Sequence, residues 1–170
     1  EQGSEEGTIV VADTFQALQD MGRGARARSK ARVFAITGSV GKTSTKEMLA
    51  RCLSLLGETH AAQASLNNHW GVPLSLARMP VSAQFGVFEL GMNHANEITP
   101  LSKMTAPHIA LITTIASAHI ENLGSVENIA RAKSEIFHGM ETDGVAILPR
   151  DNPQFPILLA EARTQGLQHI

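Results

Sequence analysis

The sequence predicts an α/β fold in which a mostly parallel sheet is flanked by helices. Short apolar runs alternate with longer helix-like stretches over residues 33–170, which is the pattern of a parallel sheet covered by helices. The first apolar run leads directly into a glycine-containing loop that opens a helix. The 170 residues are 43% hydrophobic and 18% charged, a composition that supports one packed core and argues against disorder.

Four apolar runs are predicted to be the strands of this sheet. They lie at residues 33–37, 86–90, 109–114 and 145–148. The first run is almost wholly apolar, as expected of a strand that is buried on both faces.

A helix is predicted over residues 43–56. Six residues at helical spacing are expected to form its buried face: Met48, Leu49, Cys52, Leu53, Leu55 and Leu56. Cys52 lies in the middle of this stripe, so we interpret it as a core residue and not as a nucleophile.

The first thirty-two residues differ from the rest of the chain. Residues 12–21 are predicted to form an amphipathic helix, and five basic residues then follow within a Gly- and Ala-rich stretch: Arg23, Arg26, Arg28, Lys30 and Arg32. This stretch is interpreted as a solvated connector between domains, the alternative being a phosphate-contacting arm. Because the chain opens without Met and closes on what resembles the start of a strand, we expect it to be part of a longer protein.

Charge and composition exclude several classes of protein. Fourteen Lys and Arg against sixteen Asp and Glu give a net charge of -2, so no basic excess points to nucleic acid. No apolar run is long enough to cross a bilayer. The single cysteine fits a reducing compartment. We therefore expect a cytoplasmic protein that neither binds nucleic acid nor inserts into a membrane.

The loop after the first strand is the strongest motif in the sequence. It reads Thr37, Gly38, Ser39, Val40, Gly41, Lys42, Thr43, Ser44. The two glycines allow a tight turn that points amide groups at phosphate oxygens, Lys42 supplies a cation, and the Thr43 hydroxyl can bind Mg²⁺. The full P-loop pattern has Gly at position 36, where this chain has Ile36. Strand, loop and helix nevertheless stand in the order that a mononucleotide site needs.

Glu89 ends the second apolar run and is expected to have a partner, because a buried carboxylate without one is costly. The carboxyl edge of a parallel sheet is where ligands bind, so a Mg²⁺ ion shared with Thr43 is a natural partner. The alternative is a structural bond between Glu89 and a backbone amide.

Lys133 is predicted to face inward, because it lies at the centre of the apolar stripe of a helix over residues 126–137. Ser125 is the expected N-cap of that helix. A lysine at such a position needs an anion or a chemical modification. His119 follows the third predicted strand and is a candidate metal ligand, although a lone histidine is more often structural.

Five ordered segments together resemble the Mur ligase family. They lie at residues 37–48, 67–74, 89–93, 118–121 and 131–136. The segments that begin at Thr43 and Glu89 are most similar to the member that joins D-alanyl-D-alanine to UDP-N-acetylmuramoyl-tripeptide in peptidoglycan synthesis. The resemblance implies that residues 33–170 are an incomplete ATP-binding central domain, and that residues 1–32 are the end of a preceding domain plus a basic linker.

The resemblance also implies a role for each candidate residue. The loop and Lys42 would hold the phosphates of ATP, and Thr43 and Glu89 would hold one Mg²⁺. His119 and Lys133 would hold a second ion, Lys133 as its CO₂ adduct, a carbamate. ATP would phosphorylate the carboxylate of the UDP-linked peptide, and the amine of the second substrate would attack the acyl phosphate. The full-length protein is expected to be a monomer, and the present chain alone is expected to bind nucleotide without turnover.

Other readings stay open at this point. Another Mur ligase or the related folate polyglutamate ligase would share these motifs, and a P-loop ATPase switch would share the loop. Asn96 and Thr114 depart from the family pattern, which has Gly and Asn there, and put local loop geometry in doubt. Asn67, Asn68 and His69 have no assigned role beyond capping the next helix.

Overall fold

The computed structural model describes residues 7–63 and 66–170, so residues 1–6 of the predicted N-terminal region lie outside it. Five parallel strands form one sheet in the order β2-β3-β1-β4-β5. The strands are β1 (Arg32–Thr37), β2 (Thr59–Ala61), β3 (Phe85–Glu89), β4 (Ile109–Ile112) and β5 (Val145–Ile147). The predicted fold class, a parallel sheet flanked by helices, is confirmed.

Seven α-helices and one 3₁₀ helix accompany these strands in the described part of the chain, with the first helix before β1 and the last after β5. They are α1 (Thr14–Arg28), α2 (Lys42–Ser54), α3 (Gly71–Ala77), α4 (Ile98–Thr105), α5 (Ile120–Leu123), α6 (Val126–Ser134), the 3₁₀ helix (Glu135–Gly139) and α7 (Phe155–Thr164). None of these helices has the length and apolar character needed to span a membrane.

The central strand β1 is buried on both faces, as its apolar sequence predicted. Val33 and Ala35 belong to the larger core. Ile36 belongs to a smaller core with Leu53 of α2 and Val87 of β3. Helix α2 therefore covers one face of the sheet, while the larger core fills the other.

The predicted buried face of α2 was right for Leu49 and Leu53 and wrong for the other four residues. Helix α2 ends at Ser54, and of the six predicted residues Leu53 is buried, at 8% exposed, and Leu49 is half-buried; Leu55 is 86% exposed and Cys52 is also exposed. The side chains that face the sheet come from positions 46, 49, 50 and 53. The phosphate loop fixes where the helix begins and how it is rotated, and this rotation turns Met48 and Cys52 towards solvent.

Helix α1 is longer than predicted and is not followed by an open basic connector. Asp13 caps its N-terminus by accepting bonds from the amides of Phe15 (2.8 Å) and Gln16 (3.0 Å). The helix continues to Arg28 and packs against α3 and α4. It passes so close to α3 that a Cβ added at Gly22 would lie 2.9 Å from Pro73 Cα. This packing explains why the helix runs on beyond residue 21.

Arg26, interpreted from the sequence as part of a solvated connector, instead caps the C-terminus of α4. Its Nε donates to the carbonyl oxygen of Thr105 (2.7 Å) and its Nη2 to that of Ala106 (2.8 Å). Guanidinium groups satisfy free carbonyls at a helix end well. The assignment of residues 1–32 to a preceding domain stays a prediction.

Element ends differ from the sequence expectations for local reasons. Strand β4 stops at Ile112, because Thr113 and Thr114 turn to meet the phosphate loop. The helix with Lys133 tightens into the 3₁₀ helix after Ser134. Strand β2 was not predicted, since Thr59–Ala61 has only three residues and no apolar run.

The rotation of α2 predicts which leucines stabilise the fold. Leu53→Ala should lower the free energy of unfolding by about 2–3 kcal/mol, because it leaves a cavity against the sheet. Leu55→Ala is the matched control and should change it by less than about 0.5 kcal/mol. Urea unfolding followed by circular dichroism measures both, and equal losses would contradict the observed rotation.

Candidate phosphate-binding and metal site

The loop of residues 37–44 connects β1 to α2 with a backbone that glycine permits. Gly38 has φ 148° and Gly41, the N-cap of α2, has φ 83°, both in the region that favours glycine. A Cβ at Gly38 would in addition overlap Thr113 Oγ1. The loop therefore needs glycine at position 38 for both conformation and space.

The end of β4 holds this loop in place. Thr113 Oγ1 donates to the carbonyl oxygen of Val40 (2.6 Å), and the Ser39 amide donates to that of Thr114 (2.9 Å). Ser39 Oγ exchanges two further bonds with the backbone of Ala116, at 3.0 Å to its carbonyl and 2.9 Å from its amide. The loop is thus preorganised by the neighbouring strand before any ligand binds.

Two polar groups of the loop suit a phosphate ligand. Lys42 Nζ donates to the carbonyl oxygen of Gly38 (2.8 Å), which holds the ammonium across the loop. Thr37 Oγ1 is buried and has no hydrogen-bond partner among the described residues. A buried unpaired hydroxyl is unusual unless a ligand or water serves it. Lys42 is also the first residue of α2, at a helix end where an anion is favoured.

Glu89 lies beside this loop and has two side-chain partners. It is 2% exposed. Its Oε2 accepts a hydrogen bond from Thr43 Oγ1 (2.8 Å), and its Oε1 accepts one from Asn67 Nδ2 (2.8 Å). Within residues 7–63 and 66–170 no backbone amide donates to this carboxylate, so the alternative of a structural bond to a backbone amide is not met there. Carboxylate, hydroxyl and amide oxygens are ligands that Mg²⁺ prefers, so this group of side chains fits the ion.

A cleft of about 500 Å³ lies next to the loop, and most of the residues that line it are polar. It is lined by Lys42, Asn67, Asn68, His69, Gly91, Met92, Asn93, Asn96, Glu97, Pro100, Leu101 and His119. His119 is half-buried and has a left-handed backbone, with φ 63°, at the N-terminus of α5. The structure thus brings Lys42 and His119 to one cleft, as their positions after strands predicted.

Lys133 faces inward on α6 and is 1% exposed. Its ammonium makes no hydrogen bond or ion pair with the described residues. Burial, together with the positive charge of Lys42, lowers the pKa of Lys133 to about 7. A large fraction of the Lys133 side chains is therefore present as the neutral amine at neutral pH. Lys133 is absent from the lining of the cleft.

The side chains of the described residues do not by themselves assemble a complete metal centre. No group of three His, Cys, Asp or Glu side chains with metal-site geometry exists within residues 7–63 and 66–170. The Thr43–Glu89 pair is preformed. A second ion at His119 and Lys133 would need further ligands, such as phosphate oxygens or a modified lysine.

The sequence model of the Mur ligase middle domain matches residues 36–170 of the chain. The chain belongs to the Mur ligase family.

Curated members of the family are similar over most of this chain. UDP-N-acetylmuramoyl-tripeptide--D-alanyl-D-alanine ligase of Escherichia coli (strain K12) is 43% identical over 144 residues, which are 85% of this chain and 32% of that protein. The ligase of the same name from Bacillus subtilis (strain 168) is 41% identical over 145 residues, again 85% of this chain and 32% of that protein. The chain spans about a third of the length of these relatives.

Solved Mur ligase structures have the same fold. A crystal structure of MurF from Acinetobacter baumannii superposes with a TM-score of 0.87 at 41% identity, over 92% of this chain and 35% of that one. MurF ligase from Thermotoga maritima, solved in complex with ADP, gives 0.81 at 25% identity, over 96% of this chain and 38% of that one. A complex of Escherichia coli FolC gives 0.66 at 17% identity over 96% of this chain and 47% of that one, and shows the shared fold alone.

The two departures from the Mur ligase pattern have local explanations. Asn96 has a left-handed backbone with φ 68°, a conformation that Gly adopts freely and Asn tolerates better than most residues. Thr114 Oγ1 accepts a hydrogen bond from Asn152 Nδ2 (3.1 Å). Neither residue disturbs the loop.

Sequence reasoning left several site residues without a role. Asn68 caps α3 as expected, since its Oδ1 accepts bonds from the amides of Trp70 (3.1 Å) and Gly71 (2.9 Å). Asn67 instead contacts Glu89. Thr113 carried no signal at all, because a threonine after a strand is common and its contact with the loop depends on tertiary structure.

The buried amine predicts a specific dependence of stability on pH in buffer free of CO₂. In the unfolded chain the pKa of Lys133 returns to about 10.5, so between pH 7 and 10.5 the unfolded state binds more protons and stability rises with pH. Lys133→Met should therefore unfold at a higher urea concentration than wild type at pH 7, by a few kcal/mol in free energy, with the advantage shrinking towards pH 10.

Lys103→Met, at an exposed position on α4, serves as the control for the added methionine. An advantage of Lys133→Met that is absent at pH 7, or that stays constant up to pH 10, would contradict the burial of an uncompensated amine.

Proposed function

We propose that this chain is the ATP-binding part of a longer ATP-dependent carboxylate–amine ligase of peptidoglycan synthesis. Its substrates would be UDP-N-acetylmuramoyl-tripeptide and D-alanyl-D-alanine, as the names of the similar relatives state for those proteins. The observation that carries the proposal is the buried Glu89 carboxylate bonded to Thr43 at the start of a phosphate loop. That pair combines a phosphate site with a site for hard cations.

The loop would bind the phosphates of ATP through its amide groups and through Lys42. Thr43 and Glu89 would hold one Mg²⁺, and His119 together with Lys133 would help to hold a second. When bound, these ions supply positive charge that offsets repulsion between the terminal phosphate and the attacking carboxylate. Lys42 adds a further cation on the same side of the loop.

Lys133 would act in this site as a carbamate. Its lowered pKa leaves a substantial fraction of the side chain as the neutral amine, the form that adds CO₂. Addition converts a cation into an anion with two oxygen ligands. An anion there would replace the repulsion between Lys133 and Lys42 by attraction.

The reaction would proceed in two transfers. The peptide carboxylate takes the terminal phosphoryl group of ATP, which releases ADP and gives an acyl phosphate. The amine of the dipeptide then attacks the acyl carbon, loses a proton and expels phosphate, so that one amide bond forms. The present chain supplies the nucleotide side of this chemistry, and we propose that it binds ATP without turnover on its own. The full-length protein would act as a cytoplasmic monomer.

Phosphate release by the full-length protein tests the proposal. With ATP, Mg²⁺, UDP-N-acetylmuramoyl-tripeptide and D-alanyl-D-alanine present, omission of either co-substrate should abolish release. Lys42→Ala should lower the rate by about 100-fold or more, because it removes a cation at the transferred phosphate. Lys103→Ala, which removes an exposed lysine of α4, should leave the rate unchanged.

Release that ignores the peptide and the dipeptide would exclude the ligase and favour an ATPase switch. Release with the peptide but with a different amine would favour another member of the family.

A further inference from the structure

We propose that Glu135 is a positioning residue that holds one wall of the cleft, formed by Asn93, Asn96 and Glu97, in place. It also connects this wall to the helix that carries Lys133. The proposal rests on the proposed ligase function, because it assigns the wall to one of the two substrates. The first observation is that the amides at the N-terminus of α4 are capped by a residue distant in the sequence.

Helix α4 cannot be capped by its own N-cap residue. Glu97 occupies that position but makes no capping hydrogen bond. Its carboxylate turns back along the loop, where Oε2 accepts from the Asn93 amide (2.7 Å) and Oε1 contacts His94 Nδ1 (3.2 Å). The first amides of α4 therefore need another acceptor, since unpaired helix amides are costly when buried.

Glu135 supplies that acceptor from a position 37 residues after Ile98. It is 6% exposed and is the first residue of the 3₁₀ helix. Its Oε2 accepts from the amides of Ile98 (3.1 Å) and Thr99 (3.0 Å) and from Thr99 Oγ1 (3.1 Å). Its Oε1 accepts from the amide of Asn96 (2.5 Å). Both oxygens are thus used by donors from one segment.

The hydrogen bond from the Asn96 amide is not a helix cap, because Asn96 precedes the N-cap residue Glu97. Asn96 lies outside the helix, in a left-handed conformation that an L-residue other than Gly adopts at some cost. Glu135 pins the backbone at this strained point. It thereby fixes the turn from which Asn93, Asn96 and Glu97 reach the cleft.

The chemistry of this wall suggests which substrate it meets. Asn93, Asn96 and Glu97 provide two amides and a carboxylate, with no cation. The side-chain amides of Asn93 and Asn96 can donate to peptide carbonyls and accept from peptide N–H groups. The Glu97 carboxylate, already paired with the Asn93 backbone amide and His94, repels phosphates. The wall therefore suits the peptide part of the carboxylate substrate. The phosphates of the nucleotide would instead bind at the phosphate loop and Lys42.

Glu135 also connects this wall to the proposed metal site. It follows Lys133 by two residues, at the junction where α6 passes into the 3₁₀ helix. The same short segment therefore places the amine of Lys133 and caps the wall. The phosphate loop depends on neither, because Thr113 and Ala116, which follow β4, hold Val40 and Ser39 of the loop.

The test is a comparison of two Michaelis constants in the full-length protein. Glu135→Gln replaces one acceptor oxygen by an NH₂ group that faces N–H donors. It should raise the KM for the UDP-linked peptide by about tenfold while the KM for ATP stays within about twofold of wild type. Glu135→Asp keeps both oxygens on a shorter arm and should recover most of the loss. Glu127→Gln, an exposed charge on α6, is the matched control.

Amide hydrogen exchange is a second test of the role of Glu135, and it does not depend on enzymatic activity. The amides of residues 96–99 should exchange at least about tenfold faster in Glu135→Gln than in Glu127→Gln or wild type, with an intermediate rate in Glu135→Asp. If Glu135→Gln does not fold, Glu135→Asp carries the exchange measurement, in which the amides of residues 96–99 should still exchange faster than in Glu127→Gln.

Unchanged exchange at these amides, or KM values for both substrates that move together, would overturn the positioning role. An inactive wild-type protein would instead count against the ligase function, and the exchange rates would then decide the role of Glu135 alone.

Discussion

The site depends on the register between the two central strands. Strands β1 and β3 run parallel with Ile36 opposite Glu89, so the chain leaves β1 for the phosphate loop beside the carboxylate that ends β3. At the second residue of α2, Thr43 Oγ1 reaches Glu89 Oε2 at 2.8 Å. A shift of one residue in this pairing would turn Glu89 to the opposite face of the sheet and separate the two oxygens.

The Glu89 carboxylate is buried and therefore needs hydrogen-bond donors, which its surroundings provide. A buried anion without partners is strongly disfavoured, so the hydrogen bonds from Thr43 and Asn67 stabilise the folded state. Lys133 is also buried, but its amine has no hydrogen-bond partner among the described residues, and burial lowers its pKa to about 7. An anion and an unpartnered amine held near one phosphate loop are an arrangement that bound cations and a modified lysine would complete.

Local signals in the sequence were sufficient for the parts of the fold that depend on local chemistry. The apolar runs gave the central strands, the two glycines marked the loop, and helical periodicity placed Lys133 inside. Periodicity was only partly right at α2, because the loop and not the apolar stripe sets the rotation of that helix, leaving Leu55 in solvent. The three-residue strand β2 had no pattern to detect. The partner of Asn67 is 22 residues away, and those of Glu135 are 36 to 39 residues away, which one sequence does not reveal.

The most direct measurement is the effect of Mg²⁺ on ATP affinity, by calorimetry, in the wild-type protein and in Glu89→Gln. Wild type should bind ATP more tightly by about tenfold or more when Mg²⁺ is present, because Glu89 and the phosphates share the ion. Glu89→Gln should lose that gain yet bind ATP without Mg²⁺ at least as tightly as wild type, since a negative charge near the phosphates is gone. A Glu89→Gln protein that keeps the full Mg²⁺ effect would show that the buried carboxylate does not serve the metal.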